Sequence, residues 1–93
     1  MLNEKEIIEE AVYTFGASRQ KKKAVEEMSE LIKELMKDLD GKGNLDHIAE
    51  EMGDVEITMA QLRYIYSNTE LIRKHKEEKL AYLNNLIFEA KYG

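Results

Sequence analysis

The run Ala24-Val25-Glu26-Glu27-Met28-Ser29-Glu30-Leu31-Ile32-Lys33-Glu34-Leu35, followed beyond Gly41-Lys42-Gly43 by Ile48-Ala49-Glu50-Glu51-Met52-Gly53-Asp54-Val55, decides the fold. Apolar residues recur every three or four positions in both segments, the period of an amphipathic helix with one apolar face. In the first they form the stripe Val25, Met28, Leu31, Ile32, Leu35 and Leu39; in the second, Leu45, Ile48, Met52, Val55, Met59, Leu62 and Tyr66. A short glycine-rich break joins them, so the two helices should pack as antiparallel neighbours.

Outward from this hairpin the chain continues in the same idiom. A helix over roughly Asn3 to Thr14 places Ile7, Ile8, Ala11, Val12 and Phe15 on one side, and Gly16 suits its C-terminal cap. Ser18 is the expected N-cap of the next helix and Asn44 that of the one after. Ser67-Asn68-Thr69-Glu70 reads as a capping box, opening a fourth helix through Leu71, Ile72, Leu80, Leu83, Leu86 and Ile87. The alternative is one long bent helix across that junction. The expectation is an all-α, four-helix, antiparallel bundle-like fold forming a single domain over residues 1–93.

Composition narrows the class. The 93 residues contain no proline and no cysteine, which favours helix throughout and removes any disulfide or cysteine-based zinc site. A domain this small has a modest core, so oligomerisation is expected. The formal net charge of −5, with no basic stripe, argues against nucleic acid as a partner. No apolar run is long enough to span a bilayer and the N-terminus lacks a signal-peptide core; a cytoplasmic protein without membrane partners is the expectation.

Acidic residues are common here, 19 of 93, yet only three pairs stand three positions apart on helices: Glu6/Glu9, Glu27/Glu30 and Glu51/Asp54. That spacing puts both carboxylates on one helix face, where like charges repel unless a cation sits between them. Glu6/Glu9 occupies a polar face and reads as solvated. At about 100° per residue Glu51 falls inside the edge of its apolar stripe, where a carboxylate must be paired, protonated or metal-bound. Glu27 borders the stripe of the preceding helix, so both remaining pairs flank the helix–helix seam. Four oxygen ligands without histidine or cysteine select a hard cation, Mg²⁺ or Mn²⁺, and magnesium commonly shares its shell with substrate phosphates.

These residues carry a resemblance. Glu26-Glu27-Met28-Ser29-Glu30-Leu31 followed by Glu50-Glu51-Met52-Gly53-Asp54-Val55 resembles the ExxE…ExxD signature of the MazG-like all-α nucleoside triphosphate pyrophosphohydrolases. Phe15-Gly16-Ala17-Ser18-Arg19-Gln20 is similar to the entry segment of small, phage-like members, and the likeness extends from about Thr14 to Leu62. It implies Mg²⁺ held by Glu27, Glu30, Glu51 and Asp54, with hydrolysis of a (deoxy)nucleoside triphosphate to monophosphate and pyrophosphate. It also implies a homodimer or homotetramer and a role in nucleotide-pool housekeeping. Metal bridging the phosphates would neutralise developing charge and supply an activated water, which one of the acids, Glu26 and Glu50 included, would orient or deprotonate.

Further candidates follow for the substrate. Phe15 offers a stacking face and Gln20 an amide that both donates and accepts. Lys76 and Lys79, three apart on the last helix, are candidates for the phosphates, although mixed-charge runs such as Arg73 to Lys79 are usually solvated faces. Lys21, Lys22 and Lys23 rank below them. Gly53 costs its helix stability, which points to close approach by a ligand or by a facing helix. The competing reading is a non-catalytic helical-bundle interaction or regulatory module whose acids only solubilise it.

Overall fold

The computed structural model describes residues 1–93 as four helices without strands: α1 (Glu4–Phe15), α2 (Ala17–Leu39), α3 (Leu45–Tyr66) and α4 (Thr69–Tyr92). Two of the boundaries are set by asparagine. Asn3 caps α1 in a reciprocal box with Glu6, its Oδ1 accepting from the Glu6 N–H at 2.8 Å. Asn44 Oδ1 accepts from the His47 N–H at 3.1 Å and starts α3. In both cases the side chain satisfies one of the donors that a helix N-terminus leaves open.

The other two junctions depart from expectation. Gly16 at φ +90 ends α1 through its N–H on Val12 O and opens α2 directly, because its own carbonyl accepts from Gln20 N. Ser18 therefore lies inside the first turn of α2 and caps nothing. Between α3 and α4 the chain breaks at Ser67, left-handed at φ 49, which excludes one continuous helix. The anticipated capping box does not form there: Asn68 is the cap residue and makes no side-chain capping bond, while Glu70 turns forward to pair with Arg73.

Helices α1, α2 and α3 pack on one another, with the α2–α3 hairpin the dominant contact; α4 scarcely touches the rest. The consequence is an open molecule. Its radius of gyration is 16.8 Å, against about 12 Å for a compact domain of this length.

The seam between α2 and α3 is the largest correction to the pattern read from sequence. The side of α2 that meets α3 carries Gln20, Ala24, Glu27, Leu31 and Glu34, of which Gln20, Ala24 and Glu34 are buried. The strongest apolar stripe faces outward instead, with Val25 66 %, Ile32 62 % and Leu39 79 % exposed and Leu35 likewise open. On α3 the buried positions are Thr58 and Gln61, flanked by half-buried Val55, Met59 and Leu62, while Met52 and Leu45 are exposed. Within one chain only Ile8 and Ala24 are buried apolar residues. Nothing within this chain covers the outward stripe of α2.

Candidate metal centre and adjoining cavity

Because α2 and α3 meet through their more polar sides, the acids of the two helices converge. Carboxylate oxygens of Glu27, Glu51 and Asp54 lie within 4.8 Å of one another, all three residues half-buried. Glu30, the fourth acid of the pattern, stays exposed and outside this group, near enough only to repel Glu51. Lys23, one turn before Glu27, closes an ion pair onto its Oε1 at 3.2 Å.

The electrostatics show an uncompensated cluster. Burial raises the Glu51 carboxyl above the ordinary carboxylate range, and repulsion from Asp54, Glu27 and Glu30 adds to it. Asp54 is raised likewise, first by burial, then by the charge of Glu27 and a hydrogen bond shared with it. The Lys23 ammonium is held charged above its usual value by its hydrogen bond to Glu27 and by the charges of Glu27 and Glu26. One cation cannot neutralise three acids, so two are left to favour protonation or a further cation.

One atom bears on what the cluster could hold. Glu51 Oε2 is buried and has no hydrogen-bond partner. An ionised oxygen in that position is costly unless it is paired. The donor set is oxygen only, preorganised from two helices, and suits a hard divalent cation of the Mg²⁺ or Mn²⁺ type. Glu27, Glu51 and Asp54 are the residues that would hold it.

Beside the acids a cavity of about 550 Å³ opens between α1, α2 and α3. Glu27 and Asp54 form one end; Phe15, Gln20, Thr58 and Gln61 line it further along, with Arg19, Lys22 and Lys23 contributing positive charge. Its size falls within the range of small-molecule sites. The Arg19 guanidinium sits 5.3 Å from the Phe15 ring centroid, covering one aromatic face with a cation. The Thr58 hydroxyl is engaged, donating to Val55 O at 2.9 Å.

The structure therefore brings together Phe15, Gln20, Glu27, Glu51 and Asp54, and leaves others aside. Lys76 and Lys79 lie on the exposed α4 and take no part in this cavity, while Lys22 and Lys23, ranked below them from sequence, line it. Gln61 lies in no motif, and Arg19, although inside the Phe15–Gln20 segment, was not singled out; neither was foreseen as a cavity residue. The available signals were a glutamine on the Asp54 side of its helix and the i,i+4 spacing of Lys23 to Glu27. Gly53 has open space around it, with nothing within 4 Å of where a Cβ would stand. Close packing of a facing helix within the chain is thus not the reason for this glycine.

Comparison of the chain with protein-family models, with curated proteins and with solved structures finds no match.

Proposed function

We propose that this chain is a MazG-like nucleoside triphosphate pyrophosphohydrolase, a cytoplasmic, Mg²⁺-dependent enzyme that hydrolyses a (deoxy)nucleoside triphosphate to the monophosphate and pyrophosphate. The observation that carries the reading is the convergence of Glu27, Glu51 and Asp54 around an orphaned Glu51 oxygen, at the end of a cavity with a cationic edge. When bound there, Mg²⁺ supplies charge neutralisation for phosphate oxygens and lowers the cost of generating a hydroxide nucleophile. Lys23, with Arg19, offsets further negative charge along the polyphosphate. Gln20 and Gln61 provide donors and acceptors for a base edge, and Phe15 an aromatic surface at the same end. An acid beside the cluster, Glu26 or Glu50, would orient the attacking water or take its proton. Assembly as a homodimer or homotetramer belongs to the same reading.

The test is a panel of ribo- and deoxyribonucleoside triphosphates incubated with and without Mg²⁺, with monophosphate, diphosphate, pyrophosphate and orthophosphate resolved. Monophosphate and pyrophosphate in equal amounts, dependent on metal and abolished by Glu51→Gln, support the reaction. Turnover of no nucleotide by folded protein overturns it. The extensive apolar exposure on α2 and α4 favours the second reading, an interaction module without turnover, and in that case Glu51→Gln leaves every measured property of the protein except its stability unchanged.

A further inference from the structure

We infer that the outward stripe of α2, formed by Val25, Ile32, Leu35, Met36 and Leu39, is a twofold seam onto the same stripe of a second copy of this chain, with Ile32 beside the axis. The inference takes from the proposed function only its expectation of a homo-oligomer, and it adds the surface, the symmetry and the residue at the centre.

The area requires a partner of this size. The chain exposes 7733 Å², whereas a compact monomer of its 10.8 kDa mass exposes about 5,500 Å². The excess, about 2,200 Å² on each chain, gives about 4,400 Å² over a pair, within the range of obligate homodimers. Part of that surface is the apolar stripe of α2, and a contiguous exposed apolar stripe marks an interface rather than a solvated face. A second copy is the occupant always present in equal amount, and an isologous contact needs only one self-complementary stripe.

The stripe meets that condition. It spans 15 residues from Val25 to Leu39, about 21 Å of helix, and Ile32 is its midpoint. An antiparallel twofold through Ile32 keeps like flanks on the same side of the seam. Lys22, ten residues before Ile32, and Asp40, eight after it, share one flank; across the axis they stand at heights about 3 Å apart, in position to pair with opposite sign. The apolar arc of α4 (Leu80, Leu83, Leu86 and Ile87), left exposed by its own chain, provides the remaining area. Glu27 sits about 140° around α2 from Ile32. The acidic cluster of each copy therefore opens away from the seam.

The experiment is light scattering of full-length chain with Ile32→Glu, alongside oxidation of Ile32→Cys. The native chain has no cysteine, so the introduced thiol is the sole reporter. Ile32 is 62 % exposed within its own chain, so the charge breaks no intrachain core, and circular dichroism checks that helicity is kept. The expected result is a native dimer or tetramer whose mass is halved by Ile32→Glu, and a Ile32→Cys variant that forms an interchain disulfide at least tenfold faster than Tyr13→Cys, placed on exposed α1. A monomeric native chain overturns both the seam and the oligomer expected of the enzyme. An assembly indifferent to Ile32→Glu, or a thiol that oxidises no faster than that at position 13, overturns the seam alone. Nucleotide hydrolysis, read on the same samples, reports separately on the proposed activity.

Discussion

Replacing Gly53 by alanine separates what the glycine costs from what it does. Gly53 lies in the interior of α3, outside the left-handed region, and no heavy atom comes within 4 Å of the position a Cβ would take. Nothing must move to admit a methyl group. The full difference in helix propensity is then available, about 1 kcal/mol in favour of alanine, and for a domain of this size that corresponds to a rise in Tm of about 4–8 °C. The side chain would project about 160° around the helix from Glu51 and about 100° from Asp54. The acidic cluster should therefore keep its response to Mg²⁺. The assay is thermal unfolding of native and Gly53→Ala protein at equal concentration, since an oligomer's Tm depends on it, repeated with and without Mg²⁺. A fall in Tm would refute the reasoning by showing that something outside the chain already occupies that space. A rise in Tm accompanied by loss of the Mg²⁺ response would refute the claim that the glycine faces away from the site.

Three further outcomes are expected. Glu51→Gln should raise the Tm of metal-free protein at neutral pH by removing a buried, unpaired charge, and should abolish the stabilisation that Mg²⁺ confers on the native chain; equal Mg²⁺ shifts in both proteins would rule out Glu51 as a ligand. The same pair of proteins reports the pH dependence. Glu51 and Asp54 are raised in the fold, so the stability they contribute is complete below the ordinary carboxylate pKa and is lost as pH climbs through the higher folded values. In EDTA, native protein should thus lose stability relative to Glu51→Gln as pH rises from about 4 towards neutrality, and a flat difference between the two melting curves would contradict this. Asn44→Ala removes the bond to the His47 N–H and should cost about 1 kcal/mol, seen as a lower Tm with hydrolysis unaffected; an unchanged Tm would mean that water replaces the cap without loss.

Particular residues show where reading the chain succeeded and where it failed. Asn44 was legible as a helix cap because capping is a local matter, settled by a side-chain oxygen and an N–H within one turn; Asn3 was read only as the rough start of the first helix, and the structure makes it the cap. Ser67 to Glu70 has the same local pattern and yet no box, because Arg73 competes for the Glu70 carboxylate and Ser67 turns left-handed to redirect the chain. Glu51 stood out by its place in the stripe, and the structure puts its Oε2 in a buried position without a partner. Glu30 shares the spacing of the others but falls outside the cluster: residues three apart still diverge by about a sixth of the helix circumference and by a rise of about 4.5 Å.

Periodicity, the absence of proline and the two glycine breaks determined from sequence alone that the chain is helical and that its second and third helices form a hairpin. Only the tertiary structure decided which side of each helix the hairpin buries. Periodicity identifies a face that must leave water without naming the surface that covers it, so the stripe from Val25 to Leu39 was read as the intrachain core. In the fold Ala24, beside Gln20 and Glu34, provides the close approach to α3, and the larger side chains are left outside for another surface. That choice brings Glu27 against Glu51 and Asp54, because burying the polar side of α2 forces its acids into the seam.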